Sequence, residues 1–342
     1  MRVADRATAR NYLKYLYKSQ AKYADTNARI ASGNRFTKLS DDVSAGSRVL
    51  RTRMDRYKAE KQLENVKEAG YELRITEDNL MSMNWVLTTV HENKVVRALN
   101  DPTSDEGRAV YANEIRSLMA EFLQYANASY GNMFSIGGTN AYKEPLTVDP
   151  DTGKLLYNGV DMDSIVEDPV TGLMMYHDGS GMQVVPMDQD IYFDIGLGIK
   201  MTGPEVNPAT AFRLSYSATE VLGYGVDDDG ISNNIYNVMY EIQKNLDTFD
   251  REEVERWNTK LRALLDTFRG NLTDIGVKTN FLEAMENSLK STVDSHTEKI
   301  HSLMGVEDAE EATNQMMNDY VLKAVLQMGS RVLPLSLMDF IK

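Results

Sequence analysis

Histidine and cysteine are the residues from which a metal centre or a covalent catalyst is most often built. The sequence contains four histidines and no cysteine. His296 and His301 are five residues apart, about 140° around a helix, so they do not share one face as a zinc-binding i, i+4 pair does. We therefore predict no histidine-based metal site, and without cysteine there are neither disulfides nor thiolate ligands.

Residues 227–230, Asp-Asp-Asp-Gly, have the composition of part of a calcium-binding loop. When Gly230 is aligned with the central glycine of such a loop, Gly225 falls at the first ligand position and Tyr236 at the twelfth. Both positions need a carboxylate. The segment is therefore predicted to be a solvated turn.

Gly196 and Gly198 form a G-x-G pair, but the third glycine and the following helix of a dinucleotide site are missing. The pair lies in residues 191–201, where apolar residues alternate with other types, which predicts a strand with a bend or bulge at glycine. No spacing marks two carboxylates as an acid and a base. The sequence thus predicts no cofactor and no enzyme activity.

Helical periodicity is the main feature of the N-terminal part. A three-and-four spacing over residues 12–30 predicts either a coiled-coil seam or the apolar face of an amphipathic helix. Glycine at position 33 should end this helix. Ser40 offers an N-cap hydroxyl, and Asp41 and Asp42 offer carboxylates placed favourably against the dipole of a long helix that continues to about Val90. The seam residues are Leu13, Leu16, Gln20, Tyr23, Asn27 and Ile30.

More helices are predicted on either side of residues 142–225. One runs from about residue 105 to 127, and another carries an apolar stripe that starts at Ile235. Asp250 should cap the next helix, and a separate one should begin near Asp274 or Ile275. Most methionines sit at the spacing of core residues, as do Met54, Met83, Met285 and Met328.

Residues 304–342 are unusually apolar. Met317, Val321, Ala324 and Met328 share one helical stripe. The apolar residues that follow are Val332, Leu333, Leu335, Leu337, Met338, Phe340 and Ile341. Because chain ends are normally frayed and polar, this segment predicts a binding partner, the alternative being burial in the chain's own core.

Residues 142–225 differ from both flanks. The motif that begins at Asp149, Asp-Pro-x-Thr-Gly followed by a short apolar run, recurs nineteen residues later from Asp168. Each copy reads as the turn and second strand of a β-hairpin. We therefore predict a β-rich insert.

Length and charge limit the classes of partner. The chain of 342 residues is longer than an ordinary domain with a single hydrophobic core. Its net charge of −14 disfavours nucleic acid as a partner. Residues 1–61 contain 15 Lys/Arg and 6 Asp/Glu, a charge of +9, so the remainder carries −14 − 9 = −23. These two parts could attract one another within a chain or between copies.

Neither a signal peptide nor a membrane span is evident. The first residues carry scattered charges without an apolar core, and no stretch reaches the roughly 18 apolar residues that cross a bilayer. We expect no membrane insertion, and any export should proceed without a cleaved signal peptide.

Several segments carry a family resemblance. Residues 30–35, Ile-Ala-Ser-Gly-Asn-Arg, followed by Ser-Asp-Asp at 40–42 and a long helix, resemble the signature shared by bacterial flagellins and flagellar hook–filament junction proteins. Residues 123–146 and 306–340, with Leu-Gln-Tyr-Ala-Asn and Ser-Leu-Met-Asp-Phe, are similar to the junction proteins rather than to flagellins. The segment 275–283 also matches the family. Leu39 and Val43 flank the acidic segment where relatives commonly have a proline nearby.

The resemblance implies an α+β fold in which both chain ends form a flagellin-like long-helix bundle or coiled coil around a central β-rich insert. It implies three domains. Residues 1–40 and 304–342 would form a terminal helical assembly domain, 41–141 and 226–303 a long-helix bundle, and 142–225 a β-rich outer domain.

The resemblance also implies a structural adapter of the extracellular bacterial flagellum that joins hook to filament by coiled-coil packing. Its partners would be flagellin, the hook-associated junction protein on the hook side, neighbouring copies in a ring and, as a further candidate, an export chaperone. The alternatives are a short flagellin and, from another class, a glycan-binding or hydrolytic β domain on a helical stalk. The residues expected to pack against partners are Leu13, Leu16, Tyr23, Ile30, Val321, Ala324, Met328, Val332, Leu335, Leu337 and Phe340.

Overall fold

A computed structural model describes residues 2–38, 40–100, 105–131, 133–140, 142–196, 198–203, 205–207, 211–248 and 250–332. Long helices dominate both ends, as the sequence predicts. The helices are α1 (Arg2–Ser32), α2 (Val43–Thr88), α3 (Val96–Asn100), α4 (Asp105–Ala126), α5 (Ala218–Leu222), α6 (Ile235–Thr248), α7 (Arg251–Met304) and α8 (Asp308–Val332). A π-helical segment, Thr89–Val95, joins α2 to α3.

Short antiparallel strands occupy the middle of the chain. They are β1 (Ser129–Tyr130), β2 (Met133–Phe134), β3 (Leu146–Val148), β4 (Leu155–Tyr157), β5 (Val160–Asp161), β6 (Val166–Glu167), β7 (Met174–His177), β8 (Met182–Val184), β9 (Tyr192–Phe193), β10 (Met201–Thr202), β11 (Glu205–Val206) and β12 (Phe212–Arg213). Strands β3–β4–β5 and β6–β7–β8 form three-stranded sheets, and the pairs β1–β2, β9–β12 and β10–β11 complete the set in the described residues. The predicted combination of helical ends with a β-rich centre is confirmed.

The chain divides into two compact units. The terminal unit consists of residues 1–61 and 289–342, and the central unit consists of residues 62–288. Helix α1, the beginning of α2, the end of α7 and α8 belong to the terminal unit. The strands and the remaining helices belong to the central unit.

Local chemistry sets the helix boundaries. Helix α1 ends at Ser32, and Gly33 follows with a φ of 65°, a left-handed conformation that glycine adopts without steric cost. The Asp42 carboxylate accepts a hydrogen bond of 2.9 Å from the backbone N–H of Ala45 at the start of α2. Asp250 caps α7 in the same way through the N–H of Glu253, at 3.2 Å. The end of α1 and the Asp250 cap confirm the predictions, whereas the N-cap of α2 is the Asp42 carboxylate and not the Ser40 hydroxyl.

Helix α7 runs without interruption from Arg251 to Met304, so the separate helix predicted to begin near Asp274 or Ile275 is wrong. Glycine inside a helix costs about 1 kcal/mol relative to alanine, and α7 contains Gly270 and Gly276. Burial of apolar side chains along the same helix outweighs that cost. These buried residues include Leu261, Leu265, Phe268, Ile275 and Leu282.

The eleven-residue strand predicted over residues 191–201 is also wrong. Among the described residues of this range, Tyr192–Phe193 forms a short strand that pairs with β12, and Met201 begins the separate strand β10. The Asp194 carboxylate accepts hydrogen bonds from the backbone N–H groups of Gly196 (2.7 Å) and Gly198 (3.3 Å). Both glycines have positive φ, at 98° and 73°, so a local turn replaces the strand.

The two copies of the repeated motif form the same hairpin turn. Asp149 accepts from the Thr152 hydroxyl at 2.6 Å and Asp168 accepts from the Thr171 hydroxyl at 2.6 Å. The first turn joins β3 to β4 and the second joins β6 to β7. In each copy the glycine that closes the turn has positive φ. The hairpin prediction is therefore confirmed for both copies.

Buried polar side chains fasten the first sheet of the central unit to α6. The Asn237 side chain accepts a hydrogen bond of 2.8 Å from the N–H of Leu155 and donates one of 2.9 Å to Asp163. Lys154 pairs with the same carboxylate at 2.8 Å. These contacts hold the first sheet against α6. The largest fully buried side chains of the central unit include Phe122, Tyr157, Phe268, Leu146 and Leu155.

Candidate assembly surface

Helices α1 and α8 pack side by side in the terminal unit through polar contacts. The Asn318 amide donates to the Thr26 hydroxyl at 2.8 Å, and the Gln315 amide donates to Asn27 at 2.7 Å. Thr26 is 5% exposed. A higher number on α1 meets a lower number on α8, so the two helices are antiparallel.

A charged contact and a close contact mark the two ends of this helix pair. Arg29 lies 4.0 Å from the carboxylate of Glu311, whose side chain is 9% exposed. At the other end the hydroxyl of Tyr12 lies against the backbone of Gly329, where a Cβ atom would stand 2.0 Å from it. Glycine at this position allows α8 to approach α1 closely.

The α1 residues predicted to form a seam do not all face α8. Leu16 and Tyr23 are half-buried, whereas Leu13 and Ile30 are 44% and 39% exposed. The side chains buried on α1 are instead Ser19 and Thr26. These two were missed because a search for apolar periodicity does not count small hydroxyl residues.

The predicted α8 residues lie on the side of the helix that carries a groove. Val321 is 43% exposed, Met328 is 64% exposed and Ala324 is half-buried. Ile30 adjoins Arg29 at the Glu311 end, so the antiparallel register separates it from Met328 by about 25 Å along α8. The side chain of Val332 and the predicted residues Leu335, Leu337 and Phe340 lie outside the described residues.

An open groove of about 550 Å³ runs between α1 and α8. Tyr12, Tyr15 and Ser19 form its α1 wall, and Met317, Val321 and Met328 form its α8 wall. Large apolar side chains dominate the α8 wall, whereas the α1 wall combines two tyrosine rings with polar side chains. In the described part of the terminal unit, the groove is a surface on which a further apolar segment could pack.

The segment between α1 and α2 pairs with the segment between α7 and α8. Arg35 donates its backbone N–H to the carbonyl of Met304 at 2.7 Å, and Val306 donates to the carbonyl of Gly33 at 3.1 Å. Met304, whose carbonyl takes part in this pairing, also belongs to a small apolar cluster. Its buried members are Phe36, Ala45, Val49 and Met304. The pairing fixes the two turns that start α2 and α8.

Helix α2 presents a second apolar surface in the terminal unit. Its side chains are exposed by 46% to 68% and recur seven, four and three residues apart, a helical stripe. They are Val43, Leu50, Met54 and Tyr57. Met54 and Met328, predicted as core methionines, are therefore surface residues, since a core and an uncovered stripe have the same spacing in the sequence.

The acidic segment that resembles part of a calcium-binding loop has a structural role. Residues 227–230 form a turn in which Asp227 accepts from the N–H of Ile231 at 2.8 Å and pairs with Lys260 at 2.9 Å. The hydrogen bond from Lys260 lowers the pKa of Asp227 below its ordinary value. Among the described residues no group of three His, Asp or Glu side chains is placed to hold a metal ion. No described helix is both long and apolar enough to cross a membrane.

Comparisons with known proteins agree on one family of folds. Residues 3–141 match the family model of the bacterial flagellin N-terminal helical region. No curated protein matches the sequence significantly. A flagellar hook-associated protein of Vibrio parahaemolyticus has a similar structure, with a TM-score of 0.57 at 16% identity over 78% of this chain and 100% of that chain. FlgL of Bacillus cereus has a TM-score of 0.52 at 14% identity over 73% of this chain and 98% of that chain. Residues 3–141 thus carry the flagellin N-terminal helical region, and the chain has the fold of these flagellar hook-associated proteins.

Proposed function

We propose that the protein is a structural adapter of the bacterial flagellum that joins the hook to the flagellin filament by packing of its terminal helices. The observation that carries this proposal is the pair of uncovered apolar surfaces in the terminal unit, the α2 stripe and the α1–α8 groove. Surfaces of this kind on long helices are typical of subunit contacts. The hook-associated fold supports the same role.

The partners follow from the adapter role. They are flagellin on one side, the hook-associated junction protein on the other, and neighbouring copies of this chain in a ring. The packing residues on the described helices are Leu13, Leu16, Tyr23, Ile30, Val321, Ala324 and Met328, and Val332, Leu335, Leu337 and Phe340 extend the set. An export chaperone that covers the apolar residues before assembly is part of the same proposal.

The location and organisation belong to the proposal as well. The protein would lie outside the cell in the flagellum, exported without a cleaved signal peptide, and would have no catalytic role. Residues 1–40 and 304–342 would form the assembly domain, 41–141 and 226–303 the bundle, and 142–225 the outer domain. The open helix faces of the terminal unit support the assembly role of that part.

The proposal can be tested by truncation after Gly329 in cells that lack the full-length chain. We expect the truncated chain to appear in the culture medium as a folded monomer, while electron microscopy finds hooks without attached filaments. The full-length chain, expressed to the same level, is the control. Filaments attached normally to hooks that contain only the truncated chain would contradict the adapter role.

A short flagellin is the second candidate, because the matching family model describes the flagellin N-terminal region. The two candidates differ in self-assembly. An adapter forms a limited assembly, whereas a flagellin extends into a helical tube through head-to-tail contacts. Purified chain seeded with filament fragments should stay short if it is an adapter, and growth of long filaments of this chain alone would favour the flagellin.

A further inference from the structure

An open cleft of about 210 Å³ lies among the loops of the central unit. Three separate parts of the chain build its walls, around residues 142–147, 158–159 and 186–187. Asn140 and Asn158 both line it, and it is named here the Asn140–Asn158 cleft. We propose that this cleft binds a single sugar ring that carries an acetamido group, an N-acetylhexosamine. The inference goes beyond the adapter role and does not depend on it.

The backbone of the cleft is held in an uncommon conformation. In the described part of the chain, the non-glycine residues with positive φ are Asn158, at 51°, and Met187, at 60°, and both line the cleft. Asparagine tolerates this conformation, whereas methionine rarely adopts it. The Met187 carbonyl accepts hydrogen bonds from the N–H of Thr139 at 2.9 Å and from its hydroxyl at 3.1 Å. Because the surroundings must enforce such conformations, they concentrate at ligand sites.

The two asparagine side chains hold each other in place. The Asn140 amide donates to the Asn158 side-chain oxygen at 2.7 Å, and the Asn158 amide donates to the carbonyl of Pro186 at 2.7 Å. The Asn140 side-chain oxygen accepts from the backbone N–H groups of Tyr142 at 3.2 Å and Lys143 at 3.4 Å. An amide nitrogen carries two hydrogens, so each asparagine keeps one N–H beyond these contacts. The cleft thus offers a ligand oxygen two donors on fixed side chains.

The remaining walls suit the apolar parts of an acetamido sugar. Tyr142 is 92% exposed, so the chain itself covers almost none of its ring. The C–H groups of a sugar ring carry partial positive charge and pack on the negative face of an aromatic ring. Pro186 and Met187 form an apolar wall beside the asparagine amides. An acetamido group places its methyl against such a wall while its carbonyl accepts from a neighbouring N–H.

Charge and size narrow the class of ligand further. Lys143 and Glu144 line the cleft with opposite charges, which favours a neutral ligand over an anion or a cation. The ammonium group can donate to sugar hydroxyls, and the carboxylate can accept from them. A volume of about 210 Å³ is below the roughly 300–1,000 Å³ of sites for drug-sized ligands. The cleft therefore fits one sugar ring and is too small for a nucleotide.

Saturation-transfer NMR on the full-length chain tests the proposal. The probes are N-acetylglucosamine and N-acetylgalactosamine, with glucose and galactose as the matched sugars without an acetamido group. We expect transfer to the two acetamido sugars, strongest at the acetyl methyl. Tyr142→Ala should raise the dissociation constant roughly five- to tenfold, since one aromatic contact is lost. Tyr130→Ala is the control, because Tyr130 is an exposed tyrosine of the same unit that does not line the cleft.

A second variant tests the contact with the acetyl methyl. Met187→Gly removes the side chain and keeps the backbone conformation, which glycine adopts readily. It should weaken binding of N-acetylglucosamine and reduce transfer to the acetyl methyl relative to the ring protons. Met182→Ala should change neither, because Met182 is exposed to a similar extent, 47% against 43%, and does not line the cleft. Circular dichroism and tryptophan fluorescence confirm that each variant keeps its fold.

Three results would overturn the proposal. Absence of transfer to all four sugars in the parent chain would mean that the cleft takes no sugar. Equal affinity for glucose and N-acetylglucosamine would contradict the role of the acetamido group. Binding that is unchanged by both Tyr142→Ala and Met187→Gly would place the sugar outside the cleft.

Discussion

The two units differ in how much of their buried interior is apolar. In the central unit most of the fully buried residues are apolar and many are large, as Leu73, Phe122 and Phe268 illustrate. In the described part of the terminal unit the buried residues include Ser19, Thr26 and Glu311. Large apolar side chains of the terminal unit lie instead on the surface. They include Tyr15, Tyr17, Val43, Met54, Tyr57, Met316, Tyr320 and Met328.

This contrast indicates that the units obtain their stability in different ways. Burial of large apolar side chains supplies most of the free energy of folding, so the central unit has its own driving force. The terminal unit has the small cluster around Phe36 and a set of hydrogen bonds between α1 and α8. Such bonds contribute about 1 kcal/mol each, so the terminal helices should open more readily than the centre.

The largest expected effect comes from two leucines of α2 that lie in different units. Leu73 is fully buried in the central unit, and Leu50 is 46% exposed in the terminal unit. Leu73→Ala should lower the free energy of unfolding by about 2–5 kcal/mol, and Leu50→Ala should change it by less than about 0.5 kcal/mol in the free chain. Denaturant titration followed by tryptophan fluorescence measures the first effect, because Trp85 and Trp257 both lie in the central unit.

Leu50→Ala should nevertheless weaken hook–filament attachment, since the α2 stripe is a proposed contact surface. Leu73→Ala at a temperature where the protein stays folded should not. If both variants were equally destabilised in solution, the α2 stripe would be covered within the free chain. The contrast between the units would then be wrong.

Alanine substitutions at two helical glycines should have smaller effects on stability, and the two effects should be opposite in sign. A Cβ at Gly329 of α8 would collide with the Tyr12 ring, whereas a Cβ at Gly270 of α7 would meet nothing within 4 Å. Gly329→Ala should therefore loosen α1 from α8 at a cost of about 1–3 kcal/mol, while Gly270→Ala should stabilise its unit by about 0.5–1 kcal/mol. Hydrogen exchange of α1 and α8 amides measures the first effect.

A compensating substitution tests whether the collision with Tyr12 causes the loss of protection. Adding Tyr12→Ala to Gly329→Ala should restore much of the lost protection, because the collision disappears. No change in α1 exchange with Gly329→Ala alone would show that the close approach of the two helices does not hold them together.

The next largest effect is expected at the hydrogen bond between Thr26 and Asn318, and a double-mutant cycle measures it. Thr26→Val leaves the Asn318 amide without its 2.8 Å acceptor and should cost about 1–2 kcal/mol in local opening of α1 and α8. Thr26→Val combined with Asn318→Leu removes both polar groups and should recover most of that loss. Hydrogen exchange of the two helices measures all three variants. If the double variant lost as much protection from hydrogen exchange as Thr26→Val alone, the polar pairing would not explain how α1 and α8 are held together.

The sequence predicted features that depend on neighbours in the chain. Asp42 and Asp250 cap helices with their own side chains, and Gly33 supplies the backbone conformation that ends α1. The repeated Asp and Thr of the two hairpin turns also bond within four residues. Short-range chemistry of this kind can be read from residue types and spacing alone.

The wrong predictions arose where hydrogen bonds or tertiary packing override the pattern of residue types. The spacing of residues in the sequence does not show these interactions. Alternation over residues 191–201 fits a strand, but Asp194 bonds to two glycine N–H groups and makes a turn instead. A new helix was predicted to begin near Asp274 or Ile275, but buried side chains on both sides keep α7 continuous. Likewise Thr26 faces α8, where the Asn318 amide lies opposite its hydroxyl, and no pattern within α1 reveals this partner.

The smallest predicted effect is a pH dependence confined to the central unit. Hydrogen bonds from the Thr152 and Thr171 hydroxyls, followed by backbone N–H groups, lower the pKa of Asp149 and Asp168. A carboxyl with a lowered folded-state pKa stabilises the fold above its unfolded-state pKa, near 3.9, and this contribution is lost as the pH falls through the folded-state value. The double variant Asp149→Asn, Asp168→Asn should therefore be less stable than the parent at neutral pH, and the difference should shrink under acid.

Asp151→Asn is the matched control for this titration. Asp151 lies in the first turn, but it takes part in the turn's hydrogen bonds through its backbone N–H and not through its carboxylate. It should leave the pH dependence of the central unit, followed by tryptophan fluorescence, unchanged. Because both turns lie within residues 62–288, amide exchange in α1 and α8 should not respond to the double variant. A parallel loss of protection in those helices would mean that the terminal unit depends on the hairpins, and that the two units do not derive their stability separately.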